Sequence, residues 1–192
     1  MNIFDEGGVV SFESSDAWEQ WLSEHHGSVQ LVWLQIAKKG ACTKTVTYDE
    51  ALDVALCFGW IDGQRKSQDE HYFLQRFTPR RRGSLWSKRN VIKAIRLLEA
   101  EKVQPAGLAE IEAAQDDGRW HRAYDSSRSM SIPADFLSAL QKNRSAEEFF
   151  NTLNKASLYA IGFRLQTAKT PETRQRRMTA IMKLLESGQG LV

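Results

Sequence analysis

The sequence predicts an α+β fold: a small N-terminal β-sheet with packed helices, followed by a mainly α-helical C-terminal half. Segments rich in β-branched and aromatic residues are confined to roughly the first 80 positions. Capped segments with helical apolar periodicity fill the remainder. The chain has 192 residues, 42% hydrophobic and 26% charged, with a mean hydropathy of −0.46, enough to bury a core without disulfide staples. A single domain over 1–192 is therefore expected, with a mixed α/β subregion at 1–80 and a helical one at 81–192. No apolar run approaches the roughly 18 residues of a membrane-spanning helix.

Val9 to Phe12 reads as a short strand. Ser14 or Ser15 can cap a helix through His26, with Trp18, Trp21 and Leu22 at i, i+3 and i+4 on one face. Val29 to Ala37 (VQLVWLQIA) reads as a strand bounded by Gly27 and the Lys38-Lys39-Gly40 turn, with Val29, Leu31, Trp33 and Gln35 on one side. Thr47-Tyr48-Asp49-Glu50 has capping-box spacing, so a helix starts at Tyr48. It is apolar nearly all round except at Asp53, and Gly59 is placed to end it. Trp60 to Lys66, with an Asp62-Gly63 turn, pairs with Tyr72 to Phe77.

Beyond Pro79, Val91, Ala94, Ile95 and Leu98 mark a face of a helix ending near Lys102, and Pro105 begins another through Gln115. Ala134 to Gln141, Ala146 to Leu153 and Ser157 to Thr167 read as further helices. In the last helix Thr170 caps, Pro171 takes the first position, and Met178, Ile181, Met182 and Leu185 repeat at helical spacing before Gly188.

The net charge of +2 conceals a segregation. From His71 to Leu98, eight Lys or Arg stand with no Asp or Glu; from Arg164 to Lys183, six stand against Glu172 alone. The two stretches hold +13 and everything else −11, so a local positive potential can attract anions without a high overall pI. A solvated surface balanced by neighbouring acids would show the same counts. Asp5 and Glu6 stand where a secretory signal needs positive charge, and only Cys42 and Cys57 are present; a cytoplasmic protein with reduced thiols is expected.

No HExxH, CxxC, GxSxG, Walker-type GxxxxGK or GxGxxG sequence occurs, so no metal site or cofactor is indicated. Cys57 lies within an apolar helix, where a thiol behaves as a small hydrophobe. The densest functional candidate is FTPRRRGSLWSKRN, from Phe77 to Asn90. Arg80, Arg81 and Arg82 can bind phosphate or carboxylate bidentately, with Lys88 a further cation, while Ser84 or Ser87 can cap the following helix. Trp86 offers a stacking plane or a core side chain, and Asn90 adds a donor and an acceptor. Arg174 falls near the apolar stripe of the last helix and must snorkel, pair or contact a ligand. Were Arg174 and Lys169 to converge with Arg80, a polar pocket would lie between the two halves.

The strings TYDEALDVALCFGWIDGQRK, FTPRRRGSLWSKRN, PAGLAEIEAAQDDGRWHRAYD and AKTPETRQRRM resemble the bacteriocin-protection, YdeI/OmpD-associated family. The resemblance implies a part in resistance to antimicrobial peptides and, by the family name, association with a porin. It implies no catalytic mechanism and no cofactor.

These readings favour a non-catalytic, stress-related binding protein that holds a phosphorylated or other anionic ligand through Trp60, Arg80, Arg81, Ser84, Trp86, Ser87, Lys88, Asn90 and Arg174. Nucleic acid is a further partner that basic residues interleaved with Trp86 would suit. Two alternatives stand beside it: an enzyme acting on a small anionic substrate, with Asp62 as general base and Arg80 orienting it, and a protein interface anchored by Trp and Arg.

Overall fold

Ser14, in extended conformation, accepts a hydrogen bond from Ala17 N at 3.2 Å and opens the first helix of the computed structural model, which describes residues 8–126 and 129–191. The order is β1 (Val9–Val10), α1 (Ser15–His25), β2 (Val32–Ala37), α2 (Tyr48–Cys57), β3 (Trp60–Ser67), β4 (Tyr72–Pro79), α3 (Lys88–Glu99) and α4 (Pro105–Asp116). There follow α5 (Ala134–Leu140), α6 (Arg144–Phe150), α7 (Lys155–Gln166) and α8 (Pro171–Glu186). The α+β class holds, with strands early and helices late. By internal packing the chain forms two units: one runs through Ser84 and resumes at Asn90–Trp120, the other takes Leu85–Arg89 and the residues from His121 onward.

The first unit is built on a sheet of order β1-β2-β4-β3, parallel between β1 and β2 and antiparallel elsewhere. Alternation sends Val32, Leu34 and Ile36 of β2 into the core, paired with Phe77, Gln75 and Phe73 of β4. Trp33 and Gln35 therefore lie together, as their spacing indicates, on the opposite, half-exposed face. Trp18 closes the core from α1: its indole donates to the Ala51 carbonyl at 3.1 Å and its ring lies 5.7 Å from Phe77. Trp60, also buried, donates to the His26 carbonyl.

The expected Asp62-Gly63 turn is instead a bulge within β3, between the pairs Asp62↔Phe77 and Arg65↔Gln75. The buried Gln75 amide donates to the Gly63 and Gln64 carbonyls at 3.0 and 3.2 Å, satisfying groups that the bulge takes out of the ladder. The reversal comes later, where the Asp69 carboxylate accepts from His71 N and Tyr72 N. These two bonds hold the Asp69 carboxyl below its usual range.

Helix α2 carries both halves of the capping box, and Gly59 follows its C-cap in the left-handed region at φ +72°. Gly107 of α4 packs so closely that a side-chain carbon there would stand 2.2 Å from the Cys57 carbonyl oxygen. The expected apolar face of α3 is partly mistaken: Asn90, Ala94 and Leu97 are buried, while Ile95 is exposed and Ile92 is 68% exposed. The helix also ends at Glu99 rather than near Lys102.

In the second unit Phe136, Leu140, Ala146, Ile161, Leu165, Ile181 and Leu185 form the core, with Met178 and Met182 packed at its margin. The stripe read for α8 is thus the buried one, and Thr170 and Pro171 occupy the expected cap and first position. The caps of α6 and α7 are Asn143 and Asn154, so both helices begin earlier than expected, and Ser157 is buried inside the first turn of α7. Leu85–Arg89 is held in this unit by backbone bonds: Tyr124 N donates to the Trp86 carbonyl at 3.0 Å and Lys88 N to the Tyr124 carbonyl at 2.8 Å.

Candidate functional site

The loop between β2 and α2 contributes Lys38, Lys39 and Lys44, and the inner side of the β3–β4 hairpin contributes Arg65. Around them lies a groove of about 510 Å³ in the first unit, and no carboxylate belongs to its lining. Thr45, buried, anchors the loop by accepting from Ala37 N at 2.8 Å, and the capping box fixes its far end at Thr47. Tyr48, on the wall, donates its hydroxyl to Asp62 Oδ2 at 2.6 Å.

The cations differ in their commitments. Lys38 spans the hairpin end, with Nζ 2.5 Å from the Asp69 carbonyl oxygen and 3.3 Å from Ser67 Oγ. The Arg65 guanidinium lies over the Phe73 ring at 3.6 Å, a stacked position that leaves its N–H edge available. Lys39 and Lys44 are exposed, and among the described residues no ion pair engages them. The Glu50 carboxylate on α2, near enough to Lys44 to feel its charge, is taken by Thr47 N and Oγ1 at 2.9 and 2.8 Å. Those two bonds hold its carboxyl below the usual range.

The residues anticipated for ligand binding are distributed otherwise. Trp60 and Trp86 are each 1% exposed, so both indoles are core side chains. Arg80 is buried, its backbone N–H donating to the Gly59 carbonyl. Ser84 caps no helix: its hydroxyl accepts from Arg81 N at 3.1 Å in a turn that places Gly83 at φ +79°. The buried Arg119 clasps that turn, with Nη1 donating to the Ser84 carbonyl at 2.7 Å and Nε to Asp117. Ser87 and Asn90 are buried; Arg81 and Arg82 are exposed. The segment is shared out, Arg80, Arg81, Ser84 and Asn90 going to the first unit and Trp86, Ser87 and Lys88 to the second.

Residues 10–110 match the family described as a domain of unknown function (DUF8412), and residues 129–188 match the family described as bacteriocin-protection, YdeI or OmpD-associated. The chain belongs to the DUF8412 family, and the match over its later residues is to the family that the sequence resembles. No curated protein and no solved structure matches the chain. The basic groove falls wholly within the DUF8412 region.

Within the YdeI/OmpD-associated region, Arg174 is committed to Asp135 through two bonds of 2.5 and 2.8 Å. Each member stabilises the charged form of the other, raising the arginine and lowering the carboxyl. Lys88 likewise meets Asp125 at 2.8 Å, and Asp125 also accepts from Gln166 at 2.7 Å. Asp5 and Glu6, on which the export expectation rests, lie outside the described residues. No helix among the described residues is long and apolar enough to cross a membrane.

The DUF8412 region holds a second cleft, of about 230 Å³, lined by Asp16, Glu19, Glu50 and Asp53 with Arg96, Lys102 and Cys57. Asp53 is bound there by Arg96 and by Lys93 at 2.5 and 2.6 Å. Burial, then the charges of Glu19 and Asp53, push the Cys57 thiol up to about 12, so it stays protonated at neutral pH.

Sequence reasoning passed over the groove because it weighed long basic stretches. The signal was local: KKGACTK, from Lys38 to Lys44, holds three lysines and no acid just before a capping box.

Proposed function

We propose that this protein is a non-catalytic binding protein whose DUF8412 region holds a phosphorylated or other small anionic ligand in the groove of Lys39, Lys44 and Arg65. One observation carries the reading: four basic side chains surround a groove whose lining contains no carboxylate. An anion placed there meets Lys39, Lys44 and Arg65, which no ion pair engages among the described residues although Lys44 lies near enough to Glu50 to lower its carboxyl, whereas Arg174 and Lys88 each already hold an aspartate. Arg65, stacked on Phe73, is the natural bidentate contact; Lys39 and Lys44 supply mobile point charges. The exposed Arg81 and Arg82 widen the attractive field of this unit without belonging to the groove's lining.

The family description of the later residues, bacteriocin protection, gives the physiological setting of this proposal, and a porin of the OmpD kind is the partner that description suggests. A cytoplasmic location is part of the same reading; two free cysteines fit a reducing compartment.

Calorimetric titration of the full chain with pyrophosphate and with nucleoside triphosphates tests the proposal. Binding is expected, weakening about tenfold in Arg65→Ala and in Lys44→Ala, the loss of one charge-assisted contact. Arg174→Ala, remote in role, is expected to bind as wild type. Absence of heat with all these anions, or identical affinities in the groove variants, would overturn it.

A further inference from the structure

The same hairpin presents a second surface, on the side of the sheet opposite the core. Alternation along β2, β4 and β3 places Trp33, Gln35, Leu74, Arg76 and Lys66 there, all half-exposed or exposed. Trp33 stands directly across from Arg76 in the register, so their side chains leave the sheet about 5 Å apart. Lys66 Nζ lies over the Trp33 ring at 4.4 Å. The Arg76 side chain runs across Gly63, where the absent side chain leaves it room, and its Nε is buried without a hydrogen-bond partner. No strand residue of this face is acidic.

We infer that this face is a docking surface for single-stranded nucleic acid. An indole flanked by two cations, on a partly exposed sheet face whose strand residues include no acid, supplies both terms that such binding needs, a stacking plane and backbone neutralisation. Lys66 occupies the indole face. It is exposed, and an exposed cation–π contact is weaker than base–aromatic stacking. A base therefore displaces the ammonium from the ring, and the freed lysine turns to the adjoining phosphate. Gln35, two residues along β2 from Trp33 on the same face, donates to Gln68 at 3.1 Å, and Gln68 in turn donates to the Asp69 carboxylate at 3.3 Å beyond the end of β3. An open sheet face admits an unpaired strand; a duplex hides its bases from the indole. The inference stands on this face alone and not on the groove.

Fluorescence anisotropy with labelled dT12 and rU12, using the full chain, tests it. Binding is expected to fall steeply between 50 and 200 mM salt. Trp33→Ala is expected to reduce affinity about tenfold or more. Because a half-buried tryptophan also packs, Lys66→Gln and Arg76→Gln provide surface variants, each expected to flatten the log–log salt slope by about 0.7. Pyrophosphate titration of these variants should be unchanged, which separates failure here from failure of the groove. Three results would each overturn the proposal: no oligonucleotide binding at low salt, unchanged binding in all three variants, or equal binding of a duplex of the same length. Tighter binding of a poly-glutamate peptide than of the oligonucleotides would assign the face to an acidic protein instead.

Discussion

Two cysteines on one chain differ through their surroundings alone. Cys57 is enclosed by α1, α2 and the carboxylates of Glu19 and Asp53, which disfavour a thiolate; Cys42 is exposed in the basic loop beside the groove. Since the thiolate is the reactive species, Ellman's reagent should label one cysteine rapidly in the native protein and the second only on unfolding. Fast labelling of both in the folded state would contradict the described burial. The same logic separates the arginines. Arg119 and Arg174 are each held by an aspartate, whereas Arg65 rests on an aromatic ring. Counting basic residues, as the sequence alone allows, treats all three alike.

Backbone packs directly on backbone where α4 meets the end of α2. Gly107 lets the two backbones touch, and Gly59 adopts a left-handed conformation beside the Ala106 carbonyl, 2.8 Å from where its own side chain would begin. The atoms facing Gly107 are main-chain carbonyls that cannot swing aside. Gly107→Ala is therefore expected to destabilise the fold by about 3 kcal/mol, the upper range of overpacking, read as a lowered urea midpoint with unchanged slope. Gly27→Ala meets open space and serves as the control. Caps were the most legible feature at this scale: Ser14, Thr47 and Thr170 open their helices as their spacing indicates. Asn143 and Asn154 do the same, though serine and alanine nearby made later starts look equally good. The β3 bulge was misread because Asp-Gly is a turn signal that a bulge can also absorb, once Gln75 is present to satisfy the loosened carbonyls.

For the whole molecule, the division into two units threads Leu85–Arg89 into the second although the residues on both sides belong to the first. Its polar tether is Asp125, bonded to Lys88 and to Gln166, which hold its carboxyl below the usual range. A lowered native pKa means stability present above the unfolded carboxyl value, near 3.9, and lost as pH falls through the native value. Asp125→Asn should thus cost about 0.5–1 kcal/mol at pH 7, the range of a partly exposed pair, and nothing once pH has fallen below the native value. Thermal melts of both proteins at pH 7 and in acid decide it; a constant gap would show that charge is irrelevant there. The long basic stretch from His71 to Leu98 is dispersed by this threading, since its members serve the hairpin, the Arg81–Ser84 turn, the tether and α3 in turn.

Periodicity, caps and prolines determined by themselves that the chain would be α+β, where most helices would start, and which stripe of α8 would be buried, because those are properties of neighbours within a few residues. Tertiary structure alone decided which cations remain available. Lys44 and Arg65 are separated by a helix and half a hairpin in the chain, and only strand pairing sets them around one groove, while an aspartate 39 residues away removes Arg174 from consideration. Charge can be counted from composition, but whether it is already neutralised depends on which opposite charge the fold brings within a few ångströms.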